Sequence, residues 1–253
     1  MRRTFSLITL FPELVDAFAA IGLARKARAA GLLDIEAISP RDFASDARRT
    51  VDDVPYGGGP GMVMQVGPLR RAIAATRERL SGAHVIYLSP QGRTLQQAFL
   101  PELLARPHLI LVAGRYEGID ERLISRDIDE EWSIGDYVLS GGELPALVLM
   151  DALIRLIPGV MGDPASAEAE SFARGLLDFP HYTRPENIDG QAVPAVLLSG
   201  DHARIAAWRL REAVRRTASR RPDLLAEALT QPEIARLWTE ISADLTEESS
   251  KEA

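Results

Sequence analysis

The stretch "EWSIGDYVLSGGELPA" (residues 131–146) decides how this chain is read. A short β-type run, Tyr137-Val138-Leu139, enters the small-residue turn Ser140-Gly141-Gly142, and an apolar helix follows. A glycine-rich turn feeding a helix N-terminus presents unpaired backbone N–H groups and is a ready anion site. Yet no lysine follows this turn, and the chain holds no G-x-G-x-x-G. Of the 29 basic residues only Lys26 and Lys251 are lysines, and neither lies in a motif. That excludes a Walker-type phosphate loop and disfavours Schiff-base chemistry. Any polyanion must be held by arginine, whose planar fork suits phosphate and guanine.

Outward from this stretch, strand-like and helix-like segments alternate over residues 1–160, the pattern of an α/β sheet. "TFSLITL" (4–10) reads as a strand, and Pro12 opens a helix through Ala20. "LLDIEAIS" (32–39) is a second strand, and "GPLRRAIAATRERL" (67–80) a helix. "HVIYL" (84–88) is a buried strand, followed by a helix over 94–105 and the strand "HLILVAG" (108–114). "LPALVLMDALIRLI" (144–157) is a long buried helix with Asp151 and Arg155 on one face at i,i+4, ended by Pro158-Gly159. The irregular, Pro- and Ser-rich residues 161–194 read as a linker with an active-site loop. A helical domain with an acidic, fraying tail is expected over 195–253: a basic amphipathic helix to about Arg221, then a second helix near 222–241.

With 46% hydrophobic and 26% charged residues, a chain of 253 residues buries a full core and is not disordered. No apolar run reaches the roughly 18–20 residues that span a bilayer, and no small-residue cleavage site marks a secretory leader. The absence of cysteine excludes disulfides, thiolate metal sites and cysteine nucleophiles, and makes the cytoplasm the expected compartment. A net charge of −7 argues against a chain coated in nucleic acid. Locally the sign reverses, because residues 201–221 carry seven arginines against two acids.

Three strands deliver loops rich in Gly, Pro and Ser: "YLSPQGR" (87–93), "VAGRYEGIDER" (112–122) and "SIGDYVLSGGELP" (133–145). Ligands of open parallel sheets bind outside the carboxyl ends of the strands. Any one such loop is most simply a turn with the glycines its geometry needs. Three after consecutive strands point to a site, and backbone groups with no side-chain cation beside the turn suit a flat, neutral heterocycle better than a triphosphate.

These segments, with "LLDFPHYTRPE", "VPAVLLSGDHARIAAWRLREAVRRT" and "RDFASDARRTVDDVPYGGGPGM", resemble the bacterial tRNA (guanine-N1)-methyltransferases of the SPOUT class, from about Phe5 to Pro222. The resemblance implies a parallel-sheet domain with a deep trefoil knot, although connections ordinarily avoid knots, plus a small all-helical C-terminal domain. It implies S-adenosylmethionine bound in the knot and a homodimer whose active site uses both subunits. The methyl acceptor it implies is N1 of the guanine immediately 3′ of the anticodon, in tRNAs with a second guanine before it.

Carried onto this chain, the resemblance builds the cofactor pocket from Tyr87, Leu88, Ser89, Pro90, Gly92, Gly114 and Tyr116, the backbone of Ile134, Gly135, Asp136, Tyr137, Val138 and Leu139, and Gly141, Gly142 and Pro145. Glu117 faces the ligand or a divalent ion such as Mg; the alternative is a surface partner for Arg122. The family's general base, an aspartate, falls on Glu170, with Asp178 as the fallback, and the cation beside guanine O6 falls on Arg155. From the residues alone, an arginine on a largely apolar helix is more often a buried carboxylate partner, with Asp151 one turn earlier, and both readings hold together if the pair crosses the dimer interface. Ser166 and His181 line the same pocket. The helix 204–221, with Trp208, Arg209, Arg215 and Arg216, is expected on the anticodon stem, while Arg48, Arg49 and "YGGGPG" (56–61) frame the guanine entrance. A ribose 2′-O-methyltransferase of the same fold and a catalytically silent tRNA-binding protein are the alternatives.

Overall fold

The computed structural model describes residues 2–162, 170–172 and 174–252. The chain divides into two compact units, Met1–Pro164 and Ala165–Ala253, so the described residues between 170 and 194 group with the helices that follow them.

The first unit is built on a five-stranded, wholly parallel sheet. In chain order its elements are β1 (Arg3–Ile8), α1 (Pro12–Ala19), α2 (Gly22–Ala29), β2 (Leu33–Ile38), the two-residue strands β3 (Asp52–Asp53) and β4 (Val63–Met64), α3 (Val66–Arg79) and β5 (His84–Thr94). There follow α4 (Leu100–Ala105), β6 (His108–Ala113), α5 (Glu121–Asp127), β7 (Glu130–Ser133) and α6 (Glu143–Arg155). The sheet order is β2-β1-β6-β5-β7, while β3 and β4 pair separately. Both faces are covered, which is why the strands read as near-continuous apolar runs. Along β6, Leu109, Leu111 and Ala113 point into the core shared with α1, α2, α4 and α6, whereas Ile110 and Val112 point into the core under α3 and α5. Successive side chains of a strand alternate faces, so one strand serves both cores.

Three readings are corrected. Tyr137–Leu139 is not a strand; the strand is β7, and the chain leaves it in a turn closed by Ser133 and Gly135, with Gly135 at φ +145°. The expected helix over 94–105 is a single 3₁₀ turn at Gln97–Phe99 followed by α4, because β5 itself runs on to Thr94. The single helix near 222–241 is two, Pro222–Ala228 and Pro232–Glu252, the second running into the acidic tail. Each begins at a proline, which cannot donate to the turn before it.

In the second unit the helix His202–Arg220 is capped by Asp201, whose carboxylate accepts from the Ala203 and Arg204 amides. A short helix (Ala195–Leu198) and a two-stranded pair (Asn187–Ile188 with Gln191–Ala192) precede it. Leu176, Ala213, Val214, Leu225, Ala228, Ile234 and Ile241 form its core.

Candidate active site

β5 leads to β6 on one side of itself, and β6 leads across to β7 on the other. The carboxyl ends of these strands therefore lie at a switch in chain direction, where a crevice opens. A cavity of about 220 Å³ lies there, walled by the loops after all three strands. It gathers every cofactor residue named above except Gly92 and Asp136, and adds Gln91, Gly118, Trp132 and Ser133.

Gly92 serves the wall from behind. The β5–β7 register breaks between Leu88 and Arg93, so Ser89–Gln91 bulge into the cavity before the strand rejoins β7. A Cβ on Gly92 would lie 2.5 Å from the Glu131 carbonyl carbon. Beneath the bulge, burial pushes the Glu131 carboxyl above its ordinary value, and the Glu121 charge adds to this against a hydrogen bond from Ser89. Burial likewise raises the Tyr87 phenol, so it stays neutral and protonated at physiological pH.

The turn Ser140-Gly141-Gly142 does not need glycine for its backbone angles; it needs glycine for close approach. Gly142 has φ −80°, but a Cβ there would lie 2.8 Å from the Ala113 Cα at the end of β6. Its amide donates to the Gly114 carbonyl at 2.9 Å. Beside it the Arg115 guanidinium forms a clamp. Its Nε lies 2.9 Å from Glu143 Oε2 in an ion pair, its Nη1 donates to the Ser140 carbonyl at 3.0 Å, and the group sits 4.3 Å over the Phe11 ring. Glu143, only 1% exposed, also accepts from the Thr9 hydroxyl at 3.0 Å. The buried carboxylate stands in the first turn of α6, so the helix N-terminus is already supplied with its anion.

Glu117 lies on the cavity wall, and Gly61 admits it: a Cβ on Gly61 would meet its carboxylate. The "YGGGPG" stretch thus reaches the cavity rim. Arg122 pairs instead with Asp120, at 2.7 Å. Arg49 pairs with Asp42, and Asp46 binds the Arg48 amide and Thr50. Arg155 is the last residue of α6, and Asp151 is exposed with no ion-pair partner among the described residues.

In the second unit Glu170 and Asp178 line one groove of about 230 Å³ with Arg174 and Arg209. Asp178 is engaged on both oxygens, by the Phe179 amide at 2.8 Å and by His181 Nε2 at 2.9 Å. Ser166 lies outside the described residues. Trp208 is half-buried beside Tyr182. The basic helix is less free than its composition implies, since Arg211 pairs with Asp244 and Glu240 and Arg215 with Glu212.

A family model described as tRNA (Guanine-1)-methyltransferase matches residues 3–227. The chain belongs to this family. It is 58% identical over 241 residues to a tRNA (guanine-N(1)-)-methyltransferase of Methylococcus capsulatus, covering 95% of this chain and 96% of that protein. Proteins of the same name from a Marinomonas species and from Salmonella newport are 54% and 56% identical, over 98% and 97% of this chain and 99% and 96% of theirs.

Membership of a methyltransferase family implies S-adenosylmethionine as methyl donor, and the cavity fits it. Its walls are backbone and neutral side chains, with Glu117 the only charged side chain among the lining residues. A carboxylate without a neighbouring cation suits a positively charged sulfonium. Among the described residues no group of three or more His, Cys, Asp or Glu is placed to hold a metal ion, so no residue is assigned to the expected divalent ion. No helix among the described residues is long and apolar enough to cross a membrane. The clamp Thr9–Glu143–Arg115 and the wall residue Trp132 were not legible beforehand, because contacts between positions so far apart in sequence leave no local pattern.

Proposed function

We propose that this chain transfers a methyl group from S-adenosylmethionine to N1 of the tRNA guanine immediately 3′ of the anticodon. The observation that carries this is the cation-free cavity at the carboxyl ends of β5, β6 and β7, in a chain matched to the family over nearly its whole length.

The site residues are assigned on this basis. When bound, S-adenosylmethionine supplies an electrophilic methyl on a cationic sulfur. The backbone of 134–139 and the 89–91 bulge hold the adenosine, Tyr87 stays neutral beneath it, and Glu117 balances the sulfonium charge. Guanine N1 carries a proton that must leave as the methyl arrives, while negative charge grows at O6. Glu170 accepts that proton, and Arg155 donates to O6. Glutamate is one methylene longer than the family's aspartate and carries the same carboxylate. The target guanine must leave its stack to reach these groups. Arg48, Arg49 and the 56–61 loop border the entrance, Ser166 and His181 line the pocket, and the helix His202–Arg220 lies on anticodon-stem phosphates.

We read the sheet crossing as the deep trefoil knot. After β7, at the sheet edge, the chain returns past β5 to seat Gly142 against Ala113 at the end of β6, and α6 packs in the core of α2 and α4. The homodimer is assigned to the outer face of α6, where Leu144 and Val148 stand one turn apart at 55% and 48% exposure. The region after the linker is taken as a helical, tRNA-binding domain, and the cytoplasm, where tRNA is modified, as its compartment.

The test is transfer of labelled methyl to a tRNA transcript, compared with a transcript whose target guanine is replaced, followed by identification of the nucleoside. N1-methylguanosine is expected, and a ribose-methylated product would refute the reading. Glu170→Ala should lower turnover by about 10²–10⁴-fold, the contribution of a positioned general base, with cofactor and tRNA binding retained. Undiminished turnover would move the base to Asp178.

A further inference from the structure

A groove of about 920 Å³ lies in the second unit, and of its lining residues only His181 and Arg209 have a role above. It runs between the segment Phe179–Glu186, the short helix Ala195–Leu198 and the start of the helix His202–Arg220. Flat groups are layered along it. The Arg209 guanidinium lies 4.8 Å over the Phe179 ring, the Phe179 and His181 rings are 4.6 Å apart, and Asp178 holds His181 at 2.9 Å. Tyr182 lies 6.4 Å from Trp208, ring to ring. The layers are not sealed: Tyr182 is 49% exposed and Leu198 54%.

Arg184, Glu186 and Arg209 are the Arg and Glu side chains of the groove lining, and further arginines follow along the helix that carries Arg209. Arg209, Arg216 and Arg220 follow one another at i, i+7 and i+11 and share one flank of their helix with Ile205, a groove residue. Arg211 and Arg215, off that flank, are neutralised by acids. Among the described residues Arg209, Arg216 and Arg220 are in no ion pair. An open aromatic surface with Arg209 on its lining, continued by unneutralised Arg216 and Arg220 farther along the same helix flank, is a combination that binds single-stranded nucleic acid, where bases stack and phosphates track the cations. A protein partner would call for an apolar centre with few charges.

We propose that this groove is a nucleobase subsite that stacks an unpaired base of the RNA loop on Tyr182, while Arg209, Arg216 and Arg220 hold the flanking phosphates. The inference rests on the tRNA reading above and adds a second base-recognition point, bordering the pocket of the methylated guanine at His181.

The full-length protein is titrated with two RNAs: an anticodon stem-loop carrying 2-aminopurine in the loop, and a blunt duplex of the same stem. Wild type should quench the 2-aminopurine and bind the stem-loop more tightly than the duplex. Tyr182→Ala should weaken stem-loop binding about tenfold, within the range of base–aromatic stacking, and abolish the quench. Tyr182→Phe should restore both, and duplex binding and S-adenosylmethionine affinity should be unchanged. Leu198→Glu, at an exposed position that does not threaten folding, should weaken the stem-loop through phosphate repulsion. Stem-loop binding within twofold of wild type in both Tyr182→Ala and Leu198→Glu overturns the subsite, as does equal weakening of stem-loop and duplex. Methyl transfer to tRNA by wild type is measured alongside, so that the subsite can fail while the tRNA reading stands.

Discussion

Removing the Arg115 guanidinium should damage the protein more than removing both partners of its ion pair. In Arg115→Ala, the Glu143 carboxylate, 1% exposed, keeps only the Thr9 hydroxyl. Breaking a buried pair by deleting one partner costs about 3–5 kcal/mol. Arg115 is itself partly exposed, at 21%, which places the loss near the lower end, about 3 kcal/mol. At about 2–4 °C per kcal/mol for a unit of this size, Tm falls by about 6–12 °C. Glu143→Gln keeps the shape and the Thr9 contact and should lose about 1–2 kcal/mol, with Arg115 able to turn to water. The double variant has no buried charge left and should recover about 1–2 kcal/mol relative to Arg115→Ala. Because the clamp holds the turn whose Gly141 and Gly142 line the cavity, affinity for S-adenosylmethionine should fall in the same order. Urea denaturation and calorimetric titration of the four proteins measure both quantities. A double variant whose loss equals the sum of the single losses would refute the clamp.

Gly142→Ala should lower stability by about 1–3 kcal/mol, the cost of overpacking, and weaken cofactor binding, since its Cβ would press on Ala113 at 2.8 Å; unchanged binding would show that the turn can move aside. Arg216→Ala should weaken tRNA binding and reduce the dependence of log K on log salt by about 0.7–0.9. Arg215→Ala should do less, because Arg215 is held by Glu212. Burial raises the Glu36 carboxyl, but hydrogen bonds from Arg79 and Ser6 outweigh it and hold it below the usual range. A depressed folded pKa adds stability above the unfolded value, about 4.3, and loses it as pH falls through the folded value. Glu36→Gln should therefore be less stable than wild type at pH 7, with the gap in urea melts closing below about pH 4.

Much of the first unit was legible because its signals are local. β1, β2, β6, α3 and α6 lie within two residues of the segments read from hydrophobic runs and periodicity. Where burial does not set the pattern, the reading failed. β7 is an edge strand containing "EEW", too polar to read as a strand, whereas the apolar Tyr137–Leu139 run is loop. The helix α2 is too short and too basic to stand out. For the cavity, loop composition pointed to the three loops and the family resemblance named most of the wall, but that Gly92 stands behind the wall and Trp132 in it follows from a register break that no local pattern announces. In the second unit, the count of arginines said nothing of which are neutralised; Arg215 meets Glu212 at i,i+3 on its own helix, but Arg211 meets Glu240 and Asp244 only through folding, and Arg216 and Arg220 are in no ion pair among the described residues.

The turn in "EWSIGDYVLSGGELPA" divides the two kinds of knowledge. That it holds no Walker-type phosphate follows from the chain alone, since no lysine accompanies it. Why the glycines are there follows only from the fold, because Ala113 lies against Gly142 and Arg115 against Gly141. The anion at the α6 N-terminus proves to be the protein's own Glu143, buried and matched by Arg115. Local sequence dictates which backbone shapes and charges are available, whereas close approach and ion pairing depend on distances between segments that only chain packing brings together.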